Sequence, residues 1–234
     1  MSPRPRLEDA HADLATKIKV VARQQMAEHG TAGISLRGIA RALGITAPAI
    51  YNYYPRLDDL ITALIVDAYT DIADRMDAAV ASVGAGPWRD GFVAGALTYR
   101  AWALEHPVEF QLIYGNPIPG YVAPTEVTQP LARRPFAAMG NQLIQAWMDG
   151  ELHLPFSTAD LPESIVRHLE SLGLPGDLSI PVAPLYALIT GWARLHGLVM
   201  LELFHHLQPL LGDTEALYRH EVEVMAGEFG GDHH

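Results

Sequence analysis

SLRGIARALGITAPAIYNYY, residues 35–54, is the stretch that decides how the first part of the chain folds. Ser35 is a favourable N-cap for a short helix that runs to about Leu43. Ala40 is small enough to let a second helix cross closely, and Gly44 supplies the positive φ that a tight turn between two helices requires. The spacing therefore predicts a helix-turn-helix, with an ordinary αα-hairpin around a glycine turn as the alternative.

The second helix of this motif is predicted to begin after Thr46, with Pro48 in its first turn, where a missing N–H costs little. Apolar side chains would hold the two helices at their angle: Ile39, Leu43, Ile45 and Ile50. Asn52 is the one side chain of this helix able to make a bidentate contact with adenine. Methyl and ring surface for thymine methyl groups comes from the first turn: Ala47, Pro48 and Ala49.

Hydroxyl and guanidinium groups near this helix could reach DNA phosphates, which position a protein without reading sequence. They belong to Arg37, Thr46, Tyr51 and Tyr53. For each tyrosine the alternative is packing between helices, and packing is predicted for Tyr54, one turn after Ile50. Arg4 and Arg6 form a Pro-containing arm that could enter the minor groove, or could simply be solvated.

Charge is distributed unevenly along the chain. Residues 1–66 hold eight basic and six acidic side chains, although the whole chain carries a net charge of −11. The remainder is therefore strongly acidic, and a DNA backbone would repel it. A mildly basic head on an acidic body suits a protein whose head alone touches DNA, although an acidic surface is also an ordinary aid to solubility.

Several classes of protein are disfavoured by what the sequence lacks. There is no cysteine and no N-terminal secretory pattern, which predicts a cytoplasmic protein without disulfides or thiolate metal sites. The most apolar stretch, residues 195–207, is shorter than the roughly 20 residues that a membrane span needs. No hydrolase, metalloprotease or nucleotide-binding motif occurs, so no enzyme, cofactor or metal is predicted. The alternatives are a helical protein-interaction module or an enzyme without a recognisable motif.

Apolar residues recur at three- and four-residue spacing throughout, so the chain is predicted to be all-α. A three-helix head over residues 1–57 would carry the helix-turn-helix, and residues 58–234 would form a helical body. Further helices are expected at about 58–83, from 88 to a stop at Pro107, and at 129–150, 182–207 and 214–229. Residues 115–124 are the clearest long loop, and the final GGDHH is expected to be disordered.

Residues 12–66 resemble the DNA-binding head of the tetracycline-repressor (TetR) family of transcriptional regulators. The matching pieces are IKVVARQQMAEHG, SLRGIARALGIT and APAIYNYYPRLDDLITAL. Leu57 stands where that family usually has a phosphate-contacting lysine, so this contact is lost or passes to Arg56. The resemblance implies that Tyr51 and Tyr53 are phosphate ligands. It also implies a regulator, more often a repressor, that binds a palindromic operator on double-stranded DNA as a homodimer.

GWARLHGLVMLELFHHL, residues 191–207, resembles the WHG-type C-terminal domain of the same family, with Trp192, His196 and Gly197 matching. The resemblance implies that residues 58–234 bind a small-molecule effector and form the dimer. A flat or aromatic apolar effector is expected, and its candidate contacts, which could instead be core, are Tyr99, Trp102, Phe110, Tyr114, Trp147, Trp192 and His196. The last two helices are expected to pair with their copies through Leu198, Leu201, His205, Tyr218, Val222 and Met225.

Overall fold

The computed structural model describes residues 7–172 and 181–231. Within these ranges all regular secondary structure is helical apart from one isolated bridge between His153 and Gly230, so the predicted all-α class is confirmed. The helices are α1 Leu7–His29, α2 Leu36–Ala42, α3 Ala47–Tyr51, α4 Leu57–Ser82, α5 Trp88–Glu105, α6 Pro107–Tyr114, α7 Thr125–Met148, α8 Glu163–Ser171, α9 Val182–Leu203, α10 Gln208–Leu211 and α11 Thr214–Phe229. The predicted arm of Arg4 and Arg6, and the last three residues of GGDHH, lie outside the described residues.

The chain folds into two compact units, and each is assembled from two separate stretches of sequence. The first unit comprises Met1–Asp71 and His106–Leu131, and the second comprises Ile72–Glu105 and Ala132–His234. The first unit therefore holds more than a helix-turn-helix head, since the first half of α4 and all of α6 belong to it. The boundary predicted after residue 57 separates the DNA-binding part from the rest of the chain. It does not coincide with the boundaries between the two compact units.

The core of the first unit is built around α1 and the first half of α4. The residues that both helices bury recur at three- and four-residue spacing: Ile18, Ala22 and Met26 on α1, and Leu60, Ile61 and Leu64 on α4. Ionic contacts also tie α1 to α4 and α6. Lys19 Nζ lies 2.7 Å from the Asp67 carboxylate, and Arg23 Nε lies 2.9 Å from the Glu109 carboxylate.

The core of the second unit forms between α5, α9 and α11. Its large buried side chains are Tyr99, Trp102, Leu195, Val199, Tyr218, Val222 and Met225. Gly191 of α9 permits this packing, because a Cβ at that position would lie only 3.0 Å from Met225 Sδ. The glycine therefore lets α11 approach α9 closely.

A buried ion pair joins α5 to the end of α9. Arg100 donates hydrogen bonds of 2.7 and 2.6 Å to the Glu202 carboxylate, and the Thr214 hydroxyl donates another at 2.6 Å. Burial alone would raise the pKa of Glu202, but the hydrogen bonds from Arg100 and Thr214 outweigh burial and lower it. The loss of either charged partner would leave the other buried and uncompensated.

Proline accounts for the main differences between the expected and the observed helices. Pro107 follows the end of α5, as predicted, but it also begins α6, because a proline in the first turn has no N–H to satisfy. α7 begins at Thr125 and continues through Pro130 and Pro135. Tertiary burial supports its later turns, through Ala138, Met139, Leu143 and Ala146. No helix within the described ranges is both long and apolar enough to cross a membrane.

Candidate functional site

The turn between α2 and α3 has the geometry that the sequence predicts. The Ser35 hydroxyl accepts the N–H of Gly38 at 3.1 Å, and Gly44 has a φ of 65°. The N–H of Ile45 donates to the carbonyl of Ala40 at 3.0 Å and closes the turn. The apolar contacts between the two helices are fully buried at Ile39 and Ile50. The helix-turn-helix is therefore present.

The surface of α3 is exposed and nearly uncharged. The helix is only five residues long, and Asn52 is its C-cap. Of the predicted DNA contacts, Ala49 and Tyr53 are half-buried and the others are exposed: Arg37, Thr46, Ala47, Pro48, Tyr51, Asn52 and Arg56. Tyr54 is buried, as predicted, and burial raises the pKa of its hydroxyl. This face can present methyl groups, hydroxyls and one amide to a groove of DNA.

A cleft of about 340 Å³ opens beside α3. Its lining residues are Ser35, Leu36, Arg37, Tyr51, Arg56 and Leu57. The cleft thus combines two guanidinium groups with a phenol, and Leu57 adds only apolar surface. Guanidinium groups match the oxygens of a phosphate in charge and in bidentate geometry, so this set of donors suits a phosphate.

Arg56 already has an acidic partner. Its Nη2 lies 2.8 Å from Asp59 Oδ1, and Asp59 Oδ2 accepts hydrogen bonds from Arg56 Nε at 3.4 Å and from the Arg56 backbone N–H at 3.0 Å. The side-chain hydrogen bond from Arg56 lowers the pKa of Asp59, and the same bond raises the pKa of Arg56. The Arg56 side chain nevertheless remains 74% exposed. The guanidinium that could replace the contact missing at Leu57 is therefore accessible but paired.

Two other basic side chains of the head, those of Lys19 and Arg23, form ion pairs inside the first unit. Asp67 lies within 3.2 Å of both Lys19 and Arg23, and Arg23 also contacts Glu109. These pairs are half-buried, so they hold α1 against α4 and α6. The count of basic residues in the sequence therefore overstates the charge that the head can offer to phosphates.

An aromatic and polar cluster joins α5 to α9 in the second unit. The Tyr99 hydroxyl and His196 Nδ1 are 2.7 Å apart and share a hydrogen bond. The Trp192 ring stacks on the His196 ring with centroids 4.8 Å apart. Burial lowers the pKa of His196, so its imidazole is neutral at pH 7. A partly buried hydrogen-bonding pair beside a stacked indole can orient a flat ligand.

The other candidate effector contacts have different surroundings. Trp102 is buried on α5, and Trp147 is 36% exposed at the end of α7. Phe110 and Tyr114 of α6 belong to the first unit, where their ring centroids are 5.0 Å apart and Tyr114 meets the Tyr69 ring edge-on. The structure therefore brings together Tyr99, Trp192 and His196 from the predicted set, while Phe110 and Tyr114 contribute to the aromatic core of the first unit.

Two known families match the chain. The family described as bacterial regulatory proteins, tetR family, matches residues 18–64, and a second, described as tetracyclin repressor-like, C-terminal domain, matches residues 92–225. The chain belongs to the TetR family. It is therefore a transcriptional regulator with a DNA-binding helix-turn-helix, and it is not an enzyme.

Individual relatives of this TetR regulator span most of its length. The HTH-type transcriptional regulator Rv1816 of Mycobacterium tuberculosis is 37% identical over 198 residues, which cover 84% of this chain and 83% of the relative. The solved structure of a regulatory protein, SCO4313, is 31% identical with a TM-score of 0.77, and the match covers 97% of this chain and 100% of that one. A tetR-family protein from Rhodococcus RHA1, 13% identical with a TM-score of 0.62 over 92% of this chain and 96% of that one, shares the fold.

The predicted dimer residues of the TetR regulator fall into two groups. Tyr218, Val222 and Met225 are at most 1% exposed, and the Tyr218 hydroxyl donates to the carbonyl of Ala96 at 3.1 Å. A second copy could not reach these three side chains without opening the core, so we reassign them to the core of the second unit. Leu201 and His205 are exposed, and Leu198 is half-buried.

Two features near the predicted sites were missed at the level of sequence. The first is the partner of Arg56, although an arginine three residues before an aspartate at the start of a helix is a recognisable signal. The second is Gly227 inside α11, whose surroundings resemble those of Gly197 inside α9. Apart from the backbone of its own helix and its immediate neighbours, a Cβ at either position would meet no heavy atom of the described residues within 4 Å. Among the described residues, no three His, Asp or Glu side chains are arranged to hold a metal ion.

Proposed function

We propose that this TetR regulator is a cytoplasmic repressor that binds a palindromic operator as a homodimer and is released by a small apolar or aromatic effector. The observation that carries the proposal is the hydrogen bond between Tyr99 and His196 beside the Trp192 ring. Effector pockets are mostly apolar and use a few polar groups to orient the ligand, which is the chemistry this cluster offers. The exposed face of α3 would bind the operator DNA.

At the DNA, the proposal gives the exposed residues two roles. Phosphates are contacted by the hydroxyl and guanidinium groups: Arg37, Thr46, Tyr51, Tyr53 and Arg56. Bases are contacted in the major groove by Asn52 at adenine, and by Ala47, Pro48 and Ala49 at thymine methyl groups. Because only one of these side chains can make a bidentate base contact, the shape and deformability of the operator contribute to specificity.

The proposed dimer uses the accessible faces of α9 and α11. Leu198, Leu201 and His205 remain candidates for this contact, since they are at least partly exposed. Gly197 and Gly227 support the assignment, because glycine inside a helix is unfavourable and no described side chain or neighbouring element needs the space at either position. A close approach by a second copy would use that space. A two-fold dimer would present two recognition helices to the two half-sites of an operator.

We assign the second unit to the WHG type on Trp192, His196 and Gly197. The effector would hydrogen-bond to Tyr99 or His196 and stack on Trp192, with Trp102 and Trp147 of the same unit as further candidate contacts. Its binding would shift α4, which continues from the first unit into the second, and so change the separation of the two heads. A ligand moves this equilibrium only by its difference in affinity for the two states.

The proposal is tested by a gel shift against the DNA upstream of the chain's own gene. Sequence-specific, salt-dependent binding that Asn52→Ala abolishes supports the DNA assignments, and Ser157→Ala, outside the head, serves as the control. Aromatic compounds are then screened by thermal shift and for release of DNA. Tyr99→Phe and His196→Gln should lose the response to a positive compound. A specific DNA complex that no compound weakens would contradict the effector, while the absence of specific binding would favour an interaction module.

A further inference from the structure

Asp59 holds the guanidinium that we assign to a DNA phosphate. Its two carboxylate oxygens face Arg56 Nη2 and Nε at 2.8 and 3.4 Å. The arginine side chain is 74% exposed and the aspartate side chain 32% exposed, so the pair lies at the protein surface and can open. Arg56 also lines the cleft beside α3 together with Arg37 and Tyr51, whereas Asp59 does not.

Carboxylate and phosphate groups present the same pattern of oxygens to a guanidinium. Asp59 occupies the edge of the guanidinium formed by Nε and Nη2 and offsets its charge, so a phosphate can take that edge only when the carboxylate releases it. We infer that Asp59 competes with the DNA phosphate for Arg56 and thereby sets the affinity of the head for DNA and its dependence on salt. The inference rests on the proposed phosphate contact of Arg56.

The neighbouring residue provides a matched control. Asp58 carries the same charge and acts on Arg56 through space, but Asp59 is the residue that accepts the hydrogen bonds of the Arg56 side chain. Asp58→Asn and Asp59→Asn therefore reduce the general repulsion of DNA by the same formal charge. Only Asp59→Asn breaks the ion pair. Its amide oxygen can still accept the backbone N–H of Arg56, the residue before α4, so this contact at the start of the helix is retained.

The test uses the full chain and a fluorescein-labelled duplex of random sequence, because phosphate contacts do not depend on base sequence. Anisotropy titrations over a series of salt concentrations give the dissociation constant and its salt slope. At low salt, Asp59→Asn should bind roughly two- to fivefold more tightly than Asp58→Asn, which is the range of an exposed ion pair. Its salt slope should steepen by up to about one unit, the contribution of one added phosphate contact.

A double-mutant cycle separates competition for Arg56 from a general charge effect. In an Arg56→Gln background, Asp59→Asn should have no more effect than Asp58→Asn. Equal effects of the two substitutions in the wild-type background, or a gain from Asp59→Asn that persists with Arg56→Gln, would overturn the inference while the function stands. If Arg56→Gln alone leaves the affinity and the salt slope unchanged, the phosphate contact itself is refuted. Thermal melts of each variant establish that α4 remains folded.

Discussion

Replacing Gly197 by alanine tests the proposed dimer face directly. The residue lies inside α9, and a Cβ there would meet no heavy atom within 4 Å from the part of the chain that the structure describes, apart from the backbone around it in the same helix. Alanine is more favourable than glycine inside a helix by about 0.5–1 kcal/mol, so a chain that remains monomeric should be stabilised by that amount. For a protein of this size, the melting temperature should rise by roughly 2–4 °C per kcal/mol.

A dimer that packs α9 closely against a second copy predicts the opposite effect on association. The added methyl group would overpack the contact, which costs about 1–3 kcal/mol. The dimer dissociation constant would then increase roughly 5- to 150-fold. Sedimentation velocity over a range of protein concentrations measures this constant. Thermal melts at protein concentrations below and above the dissociation constant distinguish stabilisation of the monomer from weakening of the dimer, because the stability of an associating protein depends on its concentration.

Gly191→Ala, six residues earlier on the same helix, is the control. Its Cβ would lie 3.0 Å from Met225 Sδ and 3.6 Å from the Phe229 ring, so the gain in helix propensity is offset by repacking within the chain. This variant should be less stable than Gly197→Ala. A Gly197→Ala protein that is more stable than the wild type and has an unchanged dissociation constant would refute the reasoning about the dimer face.

Three further predictions concern the turn, the buried ion pair and the aromatic cluster. Gly44→Ala should lower the free energy of unfolding by about 1–2 kcal/mol in denaturant titrations, because its φ of 65° disfavours a side chain. Glu202→Gln should cost about 3 kcal/mol, since it leaves Arg100 buried without a counter-charge, whereas Glu105→Gln at an exposed pair should cost less than about 1 kcal/mol. Burial lowers the folded-state pKa of His196 below its ordinary 6.5. The contribution of His196 to the free energy of unfolding should therefore be fully present above pH 6.5, and it should be lost as pH falls from 6.5 toward the folded-state pKa. His196→Gln should flatten that decline.

Each of these predictions has a result that contradicts it. An unchanged free energy of unfolding in Gly44→Ala would mean that the turn relaxes without strain. Equal losses in Glu202→Gln and Glu105→Gln would show that burial of the Arg100 pair does not matter. A decline of stability below pH 6.5 that is the same in His196→Gln and in the wild type would place the titrating group elsewhere.

Local signals in the sequence were sufficient where a structural requirement falls on one or two residues. Ser35 caps α2 and Gly44 makes the turn because few other residues can do either. α11 begins at Thr214 and ends at Phe229, as predicted, since Asp213 caps its start through the N–H of Ala216. These features depend on neighbours within a few residues, so the sequence contains the relevant information.

Non-local packing could not be predicted in the same way. The stripe formed by Tyr218, Val222 and Met225 shows that one face of α11 is apolar, but not which partner covers it. The Tyr218 hydroxyl bonds to the carbonyl of Ala96, 122 residues earlier, so its own chain covers that face. The aromatic residues behave similarly, because composition cannot assign Phe110 to the core of the first unit rather than to an effector pocket.

The assembly of the first unit has a consequence for building chimeric regulators. Cutting the chain after residue 57 would remove Asp67 and Glu109, the partners of Lys19 and Arg23, and would strip α4 from the buried side of α1. A DNA-binding segment that is fused to a different ligand-binding domain at that point would lack part of its hydrophobic core. The exchangeable module of this regulator is discontinuous in sequence, and a successful graft must carry residues 58–71 and 106–131 along with the first 57.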